Sequence, residues 1–95
     1  MDTSDLTAKT YKAILGEAEI FHEDLTLHFG LLSYQCDDEA TYIKMAEKLT
    51  RQMLKYSDAD LNDTFFGSPP EKKEFHKVLN KILENISKLV KQPHK

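Results

Sequence analysis

SPPEKKEFHKVLNKILENISKLV, residues 68–90, decides the fold class. Ser68 is placed to accept a hydrogen bond from the amide of Glu71, whose carboxylate can reach back to the Ser68 amide, as in a reciprocal capping box. Pro69 suits a first helical turn, where a missing N–H costs nothing. Phe75, Val78, Leu79, Ile82, Ile86, Leu89 and Val90 then recur at helical spacing and mark one face for burial. Gln92-Pro93 supplies the stop. The stretch predicts a helix over 69–91 that must lay its apolar face against something.

Immediately before it, residues 57–67 read SDADLNDTFFG. Asp58 can cap a short helix over 58–66 that presents Leu61, Phe65 and Phe66 to the core, with Gly67 as a left-handed terminator. Asp58, Asp60 and Asn62 alternate as in a calcium-binding loop, but Asp63 stands where that loop needs Gly and Pro69 where it needs Glu. Further back, Asp37 or Asp38 caps a helix over 38–56. Tyr42, Ile43, Ala46, Leu49, Met53 and Tyr56 form its apolar face, and Lys44, Glu47, Lys48, Arg51 and Lys55 its wet one.

The N-terminal third is the longest periodic run. Thr3 or Ser4 can cap a helix with Asp5 in its first turn. Tyr11, Ile14, Ala18, Phe21, Leu25, His28 and Leu32 follow alternating steps of three and four. The seam keeps its phase through Gly16 and Gly30, so the spacing predicts one helix over 4–34, with a break near Gly16 as the alternative. Ile20, Leu27, Leu31 and Tyr34 form a second apolar row, turned by about 140° from the seam at roughly 100° per residue. A helix apolar on two faces is either central in a bundle or shared with another chain. With few helices available to cover the outer row, it predicts a homodimer interface at Ile20, Leu27, Leu31 and Tyr34.

These elements predict an all-α fold, a small antiparallel up-and-down bundle of three main helices plus one short helix. One domain should span residues 1–92, with Met1 to Thr3 and residues 93–95 frayed. A chain of 95 residues can bury a modest core, and 31% charged residues suit an aqueous surface. No apolar run approaches the roughly 18 residues needed to cross a bilayer, and the acidic start lacks the pattern of a signal peptide. The chain is therefore expected in the cytoplasm, away from membranes. Cys36 alone forms no internal disulfide, and four His with one Cys make no zinc spacing. Asn85-Ile86-Ser87 matches a glycosylation sequon inside a helix and carries no weight in a cytoplasmic protein.

Charge is divided unevenly. Residues 1–67 hold six Lys and Arg against thirteen Asp and Glu, a net of −7, while residues 68–95 hold seven Lys against three Glu, a net of +4, which together restore −3. The simplest reading docks the basic helix on the acidic remainder of the same chain. Nucleic-acid binding through the basic C-terminal helix is a weaker alternative, because the chain contains only one arginine, Arg51, to read base edges.

Chemistry is sparsely encoded. Glu19 and His22 are spaced as Glu-x-x-His, which on a helix puts both on one face as in di-iron bundles, but no second pair accompanies them. They remain weak metal candidates. His28 occupies a seam position and needs a hydrogen-bond partner there. Phosphotransfer domains are helical bundles whose accepting histidine is followed by Lys and Gly. Gly30 is present here, but Leu31 stands where a positive charge would serve, so a phosphoryl or metal site at His22 or His28 is the alternative function.

Cys36 precedes Asp37, Asp38 and Glu39, which disfavour a thiolate. The Gly-rich phosphate loop, the arginine clamps of helical chorismate mutases and the Asp-Ser-Leu site of acyl carrier proteins are all absent. No catalytic residue and no cofactor is expected. The sequence predicts a non-enzymatic interaction module whose partners are itself and an unidentified protein.

Overall fold

In the computed structural model, which describes residues 1–91, the chain is all-helical. A short 3₁₀ turn, Thr3–Asp5, comes first, capped by Asp2, whose carboxylate accepts the Ser4 amide at 2.7 Å. Helices α1 (Ala8–Tyr11) and α2 (Glu17–Phe21) are joined by a single π turn, Lys12–Gly16, with right-handed helical backbone throughout. Together they make one rod over 8–21. Helix α3 (Glu23–Leu32) runs into a 3₁₀ turn, Ser33–Gln35. Helices α4 (Glu39–Met53), α5 (Asp58–Thr64) and α6 (Lys72–Val90) complete the fold.

The expected single helix over 4–34 is corrected to two rods, broken at neither glycine. His22 has φ −167° and ψ 136°, an extended residue between two helices. Its imidazole accounts for the break, since Nδ1 accepts the Asp24 amide at 3.0 Å and so caps α3. The ring also packs edge-on against Phe65, with centroids 4.9 Å apart. The π turn at 12–16 and the extended residue at 22 each reset the helical phase. Leu15 and Phe29, which lie in neither apolar row of the sequence, are fully buried, and His28 is only half-buried.

Two start signals behave oppositely. Ser57, rather than the expected Asp58, caps α5, which ends at Thr64 rather than 66. It forms a true capping box with Asp60, Asp60 N–H to Ser57 Oγ at 3.2 Å and Ser57 N–H to Asp60 Oδ2 at 3.0 Å. The box expected at Ser68 and Glu71 does not form, and α6 starts at Lys72 with no side-chain cap on its first turn. The physical reason is Pro70, whose ring disfavours helical backbone at Pro69 and so prevents that proline from opening the helix. Asp38 caps α4 as expected, accepting the Thr41 amide at 2.8 Å.

Gly67, at φ +89°, takes the left-handed conformation expected of it. Phe66 is exposed, contrary to expectation, while Phe65 and Leu61 are buried. Met1, expected to fray, packs against the core. The expectations for Gln92-Pro93 and for a frayed tail at 93–95 fall outside the described residues.

Packing follows the apolar faces. Phe21 stacks on Phe75 at 6.2 Å, and Phe65 meets Phe75 edge-on at 5.3 Å. Further along, the Asn85 side-chain amide donates to the Ala13 carbonyl at 3.0 Å. Numbers rise along one rod as they fall along the other, so the first rod and α6 run antiparallel. A π turn loosens the i→i+4 ladder, and Asn85 supplies a donor to a carbonyl in that turn.

Helix α4 also packs on α6, and the Tyr42 hydroxyl donates to the Phe29 carbonyl at 2.9 Å, fastening α4 to α3. Glu39 ties the start of α4 to the start of α1. Its carboxylate accepts the Thr7 amide at 2.6 Å and the Thr10 hydroxyl at 3.1 Å. Phe29, Phe65, Phe75, Leu79, Ile82 and Ile86 fill the core, each burying a side chain that contributes about 1.5–3 kcal/mol.

Candidate functional site

Helix α3 is built with two apolar faces. Leu25, Phe29 and Leu32 turn inward and are buried. Opposite them, Leu27 and Leu31 are 50% and 52% exposed, and Tyr34, one turn on, is 69% exposed. Spacing of four and three keeps these three on one line along the helix. Ile20, at 85% exposed, belongs to the first rod, because the break at His22 detaches it from that line. The sequence-derived row of four is thus split into one residue and three.

Phe66 adds an exposed aromatic near the start of α3 that the sequence does not reveal. Its amide donates to Asp24 Oδ2 at 2.9 Å, which sets residue 66 beside the first turn of α3, one turn from Leu27. Phe66 is itself 76% exposed. The signal for it is long-range, a carboxylate reaching a backbone amide 42 residues away, and no local pattern announces it.

Between α3 and α4 the surface sinks into a groove of about 400 Å³. Leu31, Met45 and Leu49 form its apolar wall, with Gln35, Gln52 and Lys48 around them. Apolar and Met side chains at the centre, ringed by His28, the two glutamines and Lys48, follow the apolar-core, polar-rim layout of protein–protein interfaces. Gly30 lies on the same helix between Leu27 and Leu31. A Cβ built there meets nothing within 4 Å, so the fold of the single chain does not require glycine at this position.

The histidines and acids singled out from the sequence are occupied separately. Glu19 accepts the Tyr11 hydroxyl at 2.6 Å, and that bond is the leading cause that raises the Tyr11 phenol above its ordinary value. His22 is off the helix that carries Glu19, so the Glu-x-x-His register no longer puts the two on one helical face. Its Nδ1 is 3.7 Å from Asp24 Oδ2 as well as capping α3. His28 Nε2 meets the Thr64 carbonyl at 3.2 Å, the partner its position requires, with the proton on that nitrogen.

Among the described residues no group of three or more His, Cys, Asp and Glu side chains is arranged to hold a metal ion. Cys36 is buried, and burial is the leading cause that raises its thiol above the ordinary value. No helix among the described residues is long and apolar enough to cross a membrane.

Charge is organised differently from the sequence expectation. Every Lys–carboxylate pair of α6 is local, Lys77 with Glu74 at 3.6 Å and Lys88 with Glu84 at 3.3 Å. Among the described residues no lysine of α6 pairs with an acid of residues 1–67. The basic helix docks through its apolar face and keeps its charge outward. Comparison with protein-family models, curated proteins and solved structures finds no significant match to this chain.

Proposed function

We propose that the chain is a non-enzymatic protein–protein interaction module that pairs with a second copy of itself through the outer face of α3. The observation that carries this is the line of exposed Leu27, Leu31 and Tyr34 beside the apolar α3–α4 groove. Leu27 and Leu31 on the outer side of α3, and Tyr34 in the 3₁₀ turn that follows it, stay exposed to water unless a partner covers them. A two-fold pair sets the same face of both copies together, so each copy offers its ridge to the other's groove. Phe66 sits near the start of α3, and Gly30 leaves room for a close helix approach at the middle of that helix.

In this reading the long helices form an up-and-down bundle, the protein works in the cytoplasm, and a further protein partner binds a surface outside the dimer interface. Gly30 gives a test in which fold and interface respond with opposite signs. Gly30→Ala should raise thermal stability, since alanine favours helix, whereas Gly30→Leu should leave a folded chain that no longer self-associates in light scattering. Ile20→Lys, on the other rod, should leave the mass unchanged. A Gly30→Leu protein with the wild-type mass would sink the proposal.

A further inference from the structure

A second surface lies where the first rod and α6 run antiparallel. Around the π turn they enclose a shallow groove of about 400 Å³. Ala13 and Leu89 form its apolar floor. Lys9 and Lys12 stand on one wall and Lys88 on the other, with the Asn85 amide at mid-length and Glu17 at one end. Lys81, one turn before Asn85 on α6, continues the basic wall at helical spacing.

Like charges lining one apolar groove repel, and three lysines outnumber Glu17, the one acid of the lining. Among the described residues Lys9, Lys12 and Lys81 enter no ion pair, and Lys88 has only exposed Glu84 on its own helix. From this charge arrangement we infer that the groove docks an acidic amphipathic helix of another protein. Its apolar residues lie on Ala13 and Leu89, and its carboxylates lie between Lys9, Lys12 and Lys88. An opposing acidic helix removes the repulsion and covers the floor at once, which is the electrostatic complementarity that steers and orients partners.

Helix in groove is a standard mode of peptide recognition. Nucleic acid fits less well. Among the described residues the groove holds no arginine and no aromatic side chain on which a base would stack.

The test uses a synthetic peptide of about four helical turns with Leu at every i and i+4 and Glu flanking them, together with its twin carrying Lys for Glu. Fluorescence anisotropy of the labelled peptides is read against the full chain at low salt. The acidic peptide should bind at least about tenfold more tightly than its basic twin, and Lys9→Glu/Lys12→Glu/Lys88→Glu should reverse that preference. Amide and methyl NMR shifts should centre on Ala13, Asn85 and Leu89. If the glutamate variant fails to fold, Lys9→Gln/Lys12→Gln/Lys88→Gln should weaken the acidic peptide by about tenfold while leaving the helical circular dichroism intact.

Equal binding of both peptides, unchanged binding to the lysine variants, or shifts spread along Lys73 and Lys77 would overturn the inference. So would a preference for single-stranded DNA or phosphatidylserine vesicles over the acidic peptide. Leu27→Lys, which bears on self-association through α3, should leave peptide binding intact, so the two surfaces succeed or fail independently.

Discussion

Helices α3 and α4 lie side by side, yet only one of them has an outer surface suited to water. On α4 the buried side carries Tyr42, Ala46, Thr50 and Met53, and the exposed side carries Lys44, Lys48 and Arg51, the last paired with Glu47 at 3.3 Å. On α3 the buried side carries Leu25, Phe29 and Leu32, and the exposed side carries Leu27 and Leu31. The core sets the first face of each helix. The second face of α3 answers to nothing inside the chain, so its composition points to a requirement outside it.

The contrast can be broken most severely from the inside. Phe29→Ala, on the inner side of α3, should cost about 3–5 kcal/mol, whereas Leu27→Ala, two residues away, should leave the unfolding of the isolated chain nearly unchanged. Chemical denaturation at a concentration too low for pairing reads both. Similar losses at the two positions would mean that α3 has no free face.

A smaller effect belongs to the bond between the two helices. Tyr42→Phe leaves the buried Phe29 carbonyl without its donor and should cost about 1–3 kcal/mol in the same measurement. The Tyr42 phenol also carries a pH dependence, since burial pushes its ionisation above the ordinary value. A folded-state value that is raised contributes stability below the ordinary tyrosine range, about 10, and loses it as pH rises toward the folded value. Stability should therefore fall on the alkaline side, and tyrosinate absorbance from Tyr42 should emerge only as the chain unfolds. Ionisation of all four tyrosines in the still-folded protein would contradict this.

Smaller still is the cap that starts α3. His22→Ala removes the acceptor for the Asp24 amide and should cost about 0.5–2 kcal/mol, while His22→Asn, a better cap, should restore most of it. If alanine and asparagine unfold alike, the break is held by something other than the ring. Gly30→Ala is the mildest change and should stabilise the monomer by up to about 1 kcal/mol.

Much of α4 and α6 is legible in the sequence because their cues are local. Asp38 sits directly before its helix, and Phe75, Leu79, Ile82 and Ile86 repeat with one partner face to fill. The region from Ala8 to Tyr34 is less legible because two local rules disagree there with tertiary contacts. Apolar spacing runs through residue 22 without a flaw, yet the His22 ring gains both a cap and a seat on Phe65 by leaving the helix.

The false box at Ser68 shows the reverse, a local signal overruled by its own neighbour Pro70. Glu39 and Asn85, which bridge 32 and 72 residues respectively, leave no periodic trace at all. The exposed line on α3 was legible as Leu27, Leu31 and Tyr34. Its loss of Ile20 depends on the break at His22, and the placing of exposed Phe66 near its start depends on Asp24.

Sedimentation equilibrium of the wild-type chain and of Leu27→Lys/Leu31→Lys, across a range of concentrations, tests the α3 interface most directly. Wild type should approach twice the 11.0 kDa chain mass as concentration rises, and the double variant should stay at 11.0 kDa with unchanged helical circular dichroism. A wild-type protein that remains at 11.0 kDa throughout, or a folded double variant that dimerises as the wild type does, would contradict it.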